Sequence, residues 1–336
     1  MLHSPPARRE ASPPGVIDTL SAGYAAINRQ LWVLVLPIVV DLFLWLGPQV
    51  SYSPLVDPAL ARASQLVSQA TRASNGGAQT AETAAAIEQQ RQLLIAMTND
   101  TNVLALVATR GPLALPSVTS LLGGVGTFSF VRSWMEGLLL LVAALASGLV
   151  LGGLFRGLIA QQVREGRSSP VAATRRLGQD LTRVLALTGV LLAVAALLGL
   201  PALVVVSFAA LVSPAVAVVG ILLILAAALF AEVHLFFAVD AIFVSGVGPL
   251  TEIQRSVGVA RTALTPTLGL VLLTWLILAG MSRVWELLAA ALQPPYGAAL
   301  GVLGNAYIAS GLLAASMIFY KERAGSASGS GPARPH

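Results

Sequence analysis

Acidic side chains set within apolar sequence are the residues whose type and spacing could do chemistry. Asp41 stands in an apolar run at 31–46, four positions after Pro37. At ~1.5 Å per residue it lies about 15 Å from the start of that run, near mid-bilayer if the run crosses a membrane. A carboxyl at that depth is costly when ionised, so it marks either an ion or proton path or a hydrogen-bonded tie between helices. Ser147, Thr274 and Asn305 fall at similar depth in other apolar runs and are its expected partners.

Glu232, His234 and Asp240 form a second group. A carboxylate beside an imidazole invites a metal reading, but side chains two apart on a helix diverge, and His3 and His336 lie near the chain ends. The expectation is instead an ionic network in which Glu232 and Asp240 meet Arg176, Arg255 and Arg261 at the cytoplasmic face. No metal or cofactor is expected. The chain has no cysteine, and its apolar runs hold no nucleophile–base pair, zincin motif or aspartate dyad, so no catalytic residue is assigned and an enzyme is not expected.

The elements that would position these groups are membrane helices. Of the 336 residues 56% are apolar and 10% are charged, a balance no soluble domain of this size tolerates on its surface. The formal charge of +5 does not call for nucleic acid, because the arginines crowd beside apolar runs, where they read as topology signals. Arg164, Arg167, Arg175 and Arg176 are placed to meet anionic lipid headgroups.

The expected fold is all-α, a polytopic bundle of six transmembrane helices with three amphipathic interfacial helices and an extracytoplasmic helical hairpin insertion. Residues 1–13 are a disordered tail, 14–47 an interfacial helix and the first span, 48–134 the insertion, 135–320 a five-span bundle, and 321–336 a disordered cytoplasmic tail. The later spans fall near 137–160, 184–207, 214–244, 266–288 and 297–320. In the second, Gly148, Gly152, Gly153 and Gly157 form small-residue pairs that would let another span approach closely. Within the insertion, Asp57 and Pro58 open one helix, a second runs near 80–97, and a short one runs near 103–109.

The three surface helices look like one repeated unit. Ile17, Leu20, Tyr24, Ile27 and Leu31 share their spacing with Leu250, Ile253, Val257, Ala260 and Leu264, and Leu177, Leu181 and Val184 carry a weaker copy. Two uncharged turns alternate with two basic connections, which puts both termini in the cytoplasm of a bacterial cell.

The stretch from Ala238 to Leu273, with Asp240, Gly248, Arg255, Ser256 and Arg261, resembles a family of bacterial six-span proteins. That family comprises the membrane domain at the front of some glycerophosphodiester phosphodiesterases and its stand-alone relatives of unassigned role. The His-Arg-Gly and Glu-x-Asp words of the catalytic domain are missing here. The resemblance implies a helical bundle of non-catalytic role. The expected function is a scaffold or accessory subunit of the cytoplasmic membrane that meets a protein partner through 48–134, with transport or conduction through Asp41 as the alternative.

Overall fold

The computed structural model describes residues 14–74, 102–111, 113–246, 248–292 and 295–329, with isolated positions between 85 and 95. Helices dominate. In chain order they are α1 (Val16–Arg29), a 3-10 turn (Leu31–Leu34), α2 (Val35–Leu46), α3 (Ser53–Ser74), α4 (Val103–Arg110) and α5 (Thr119–Leu122). After them come α6 (Trp134–Glu165), α7 (Pro170–Val212), α8 (Pro214–Leu235), α9 (Ala238–Ser245), α10 (Pro249–Thr262), α11 (Leu264–Ala291) and α12 (Tyr296–Gly329). Two short strands, β1 (Gln49–Ser51) and β2 (Phe128–Phe130), pair in parallel with Gln49 opposite Phe128. Prolines 170, 214 and 249 each open a helix at its first turn, where the absent N–H would have had no intrahelical partner.

Five stretches are long and apolar enough to cross a bilayer: Trp134–Glu165, Pro170–Ala210, Ala215–Ser245, Leu264–Ala291 and Tyr296–Ala324. Val16–Arg29 and Leu31–Leu46 are sharply bent against each other and pass the same length and composition test only if the bent pair is counted as one. Backbone groups in lipid have to be satisfied within the segment, which a helix alone achieves here, so the chain is an all-α, multi-pass membrane protein.

The three expected surface helices differ from one another. α1 ends at Gln30 (φ −147°, ψ 68°) and α10 at Ala263 (φ −129°, ψ 47°), and each is thereby separated from the helix that follows. The middle one is not a separate element. It runs straight on as the 43-residue α7, because no Pro or Gly stands between Gln179 and Thr188 to stop it. The expected span at 214–244 stays one 31-residue apolar stretch, Ala215–Ser245, with a two-residue turn at Phe236 and Phe237 dividing it into α8 and α9. α12 continues to Gly329, past the expected start of the cytoplasmic tail at 321, while the tail 1–13 and most of the expected helix at 80–97 lie outside the described residues.

The chain forms two compact units. In the unit of Met1–Leu31, Gly157–Leu278 and Ile308–His336, the core is Phe237 stacked on Phe319 at 5.2 Å, closed by Tyr320, Leu270, Val259 and Ala241. Val16 and Leu20 of α1 pack against it, and Gly23 brings α1 onto α12 so closely that a Cβ there would stand 2.6 Å from the Ala315 nitrogen. In the unit of Trp32–Arg156 and Ala279–Tyr307, Val50, Leu55 and Val131 form a small core beside the two strands. Asn102 caps α4 by accepting from the Leu104 N–H at 3.1 Å and ties it to β1 by accepting from Val50 at 3.2 Å. The Tyr52 hydroxyl donates to the Gly137 carbonyl near the start of α6.

Candidate functional site

Asp41 lies one turn past Pro37 in α2 and is 1% exposed. Its carboxylate accepts from the Ser117 hydroxyl, from the Val118 N–H at 3.0 Å, and from Thr119 through both its N–H at 3.3 Å and its hydroxyl at 2.5 Å. The Thr119 hydroxyl also reaches the Asp41 carbonyl at 3.1 Å. These donors stand at the start of α5, whose own N-cap, Val118, has no polar side chain. Asp41 therefore does from another helix what a capping Ser or Asp does locally, satisfying bare N–H groups and placing negative charge at a helix N-terminus.

The partners expected from depth are not the ones it uses. The Ser147 hydroxyl turns back to the Ala143 carbonyl at 2.7 Å on an exposed face of α6. Thr274 belongs to the other unit, where its buried hydroxyl has no hydrogen-bond partner, and Asn305 makes no bond to Asp41. Depth points to three residues on apolar runs, whereas the donors come from Ser117, Val118 and Thr119, in the Gly- and Pro-rich stretch that precedes β2.

α6 shows a related difference. Gly152 does not receive another span; the backbone of Leu113 approaches it, and a Cβ at Gly152 would stand 2.8 Å from the Leu113 Cβ and collide with the Leu113 carbonyl. Gly148 faces the Val107 side chain of α4, which would be in ordinary contact, 3.9 Å, with a Cβ there.

The residues of the expected ionic network divide between exposed and buried positions. Glu232, Arg176, Arg255 and Arg261 are exposed, and among the described residues none of these four makes an ion pair within 4 Å. Asp240 is buried in the first turn of α9 and accepts from the Ser316 hydroxyl of α12. Glu232 lies in α8 and Asp240 in α9, on either side of the turn at Phe236 and Phe237.

Neutral amides do the tying instead. Gln30, just past α1, accepts from the Ser168 N–H at 2.8 Å and from its hydroxyl. Gln161 accepts from the Ser169 N–H at 2.9 Å, and Gln162 donates to the Ala26 carbonyl at 3.2 Å. Lys321 donates to the Val163 carbonyl at 2.8 Å, and Arg323 lies 3.5 Å over the Phe319 ring. Of the four arginines expected to meet anionic headgroups, Arg167, Arg175 and Arg176 are exposed. Arg164 is half-buried and donates to the Phe243 carbonyl at 2.9 Å, capping the C-terminal turn of α9. The three glutamines escape a search for charges; their signal is their position, Gln30 just past α1 and Gln161 and Gln162 shortly before the Gly-Arg-Ser-Ser turn that ends α6.

Among the described residues no three His, Asp or Glu side chains converge where a metal ion could sit. No protein-family model matches the chain, and no curated protein or solved structure is significantly similar to it. What the fold defines is a class, the multi-pass helical membrane protein.

Proposed function

We propose that the chain is a non-catalytic scaffold or accessory subunit of the bacterial cytoplasmic membrane, crossing it six times with both termini inside. In this reading α1 and α10 lie in the inner interface, the exposed arginines 167, 175 and 176 meet anionic headgroups, and α3 projects on the outer side toward a protein partner. A remote kinship with the membrane domain of glycerophosphodiester phosphodiesterases is part of the same proposal.

The observation that carries it is the use made of Asp41. The carboxylate in the apolar segment best placed for coupling faces four donors from Ser117, Val118 and Thr119, an arrangement suited to holding two segments together. Transport through Asp41 would have to break these bonds in each cycle. The exposed apolar side chain Leu66 on α3 adds a surface for a partner.

Two experiments test the reading. Single cysteines are clean probes in a chain that has none. Cysteine at Arg167 should react with an impermeant reagent only from the cytoplasm, and cysteine at Gly76 only from outside; both reacting from one side refutes the topology. A photo-reactive residue at Leu66 should capture one discrete protein that the same group at lipid-facing Leu222 does not. Identical products at both positions refute the partner.

A further inference from the structure

α4, the stretch Leu113–Val118 and α5 are apolar to an unusual degree for an external insertion, and they sit beside α6 at depths that belong to the bilayer. α6 has 32 residues, about 48 Å, of which about 20 residues suffice to cross hydrocarbon. Counting about 20 residues back from Arg164, at its basic end, places the other hydrocarbon surface near Leu145. Gly148, which faces Val107, then lies about 5 Å inside that surface, and Gly152, which receives Leu113, about 11 Å inside. Taking instead the uncharged interval between Glu136 and Arg156 sinks the two contacts to about 18 and 24 Å.

From Leu113 the chain returns. Val118 and Leu122 stand 3.7 Å and 3.2 Å from where a Cβ of Gly301 would be, close to the N-terminal end of α12, and alternation of spans puts that end on the same side as the N-terminus of α6. Ala105, Leu113, Leu115 and Val118 are all at most 3% exposed. Non-helical backbone is tolerated at such depth only when its polar groups are satisfied by protein or water. Here Ala114 N–H donates to the Gly111 carbonyl at 3.1 Å and Leu115 N–H to the Ala108 carbonyl at 3.0 Å, and Asp41 takes Val118 and Thr119.

We propose that α4, Leu113–Val118 and α5 form a re-entrant hairpin that dips into the bundle from the side of the α6 N-terminus, with its turn wetted by an aqueous vestibule. Arg110 marks that turn. It is the one charged side chain in the hairpin, it is exposed, and among the described residues no acidic group lies within 4 Å of it. A guanidinium at that depth is not stable against hydrocarbon and faces water.

The test uses single-cysteine variants of the full chain in sealed vesicles. A fluorophore on Leu106→Cys, an exposed position midway along α4, should be quenched by lipid-attached nitroxide several-fold more than the same fluorophore on Leu66→Cys of α3. Arg110→Cys should react with a charged, membrane-impermeant thiol reagent at least ten-fold faster than Leu106→Cys. Thr109→Cys repeats the measurement with the guanidinium in place, and it should also outpace Leu106→Cys. Equal, fast reaction at positions 66, 106, 109 and 110 without lipid quenching makes the whole insertion an aqueous domain and overturns the hairpin. Lipid quenching at Leu106 with no reaction at either 109 or 110 overturns the vestibule.

Discussion

Replacing Asp41 by Ala removes the acceptor for the Ser117 and Thr119 hydroxyls and for two backbone N–H groups. The losses are unequal. The Thr119 hydroxyl keeps the Asp41 carbonyl at 3.1 Å, and the Thr119 N–H keeps the Ser117 hydroxyl at 3.2 Å, so Val118 N–H is the donor left stranded in a buried place. A stranded buried donor costs about 1–3 kcal/mol, and a lost helix cap about 1 kcal/mol. With the loss of the charge-assisted bond to Ser117, the sum is about 3–5 kcal/mol, a factor of roughly 10² to 10³ or more in the folding equilibrium. Asp41→Asn retains one acceptor oxygen but turns an NH2 toward donors, and should fall about midway.

The assay is equilibrium unfolding in mixed micelles, followed by helicity and by the emission of Trp45, a buried neighbour one turn along α2. Amide exchange at Val118 and Thr119 should accelerate in the order wild type, Asn, Ala. Unchanged unfolding with unchanged exchange at these two amides would refute the capping role of Asp41.

Gly152→Val drives a side chain into the Leu113 carbonyl, and should destabilise by about 3 kcal/mol and raise the protease sensitivity of the 111–118 stretch. Gly23→Leu should cost about 1–3 kcal/mol and release α1 from α12, read as faster amide exchange along Val16–Arg29. Tyr52→Phe loses one hydrogen bond to the Gly137 carbonyl and should lower stability by about 1 kcal/mol in the same unfolding assay. The hydrogen bonds from Arg91 hold the Glu88 carboxyl below its usual range, so whatever that pair contributes is present above the ordinary Glu range and lost as pH falls through the lowered value; a carboxyl titration by NMR should show this shift vanish in Arg91→Ala.

Apolar runs are legible in sequence because a helix in lipid needs some twenty apolar residues, and nothing else in the chain imitates that. Turn chemistry is legible at Pro170, Pro214 and Pro249 for an equally local reason. The turn at Phe236 and Phe237 has no Pro or Gly to announce it, and the stacking of Phe237 on Phe319 of a distant helix has no local signature either. α7 misleads in the opposite sense, since an amphipathic stretch followed by an apolar one reads as two helices while the backbone has no cause to stop. Asp41 is visible as an isolated carboxyl, but its partners are not, because capping across elements depends on how Ser117 and Thr119 are folded back toward α2.

The uninterrupted course of α7 has a mechanical side. A helix of 43 residues has about 64 Å of axial rise, roughly twice the hydrocarbon thickness, with Pro201 inside its membrane part, and its first 21 Å or so, Pro170 to Arg183, carry Arg175, Arg176 and Arg183. Because no hinge separates this basic arm from the span, the two tilt as one lever. A lean of about 10° within the bilayer, the ordinary response to a few ångströms of thickness mismatch, swings the far tip of the arm by about 5 Å or more. If the chain crosses the bilayer as proposed, a change of thickness would shift Arg175 and Arg176 relative to the headgroups.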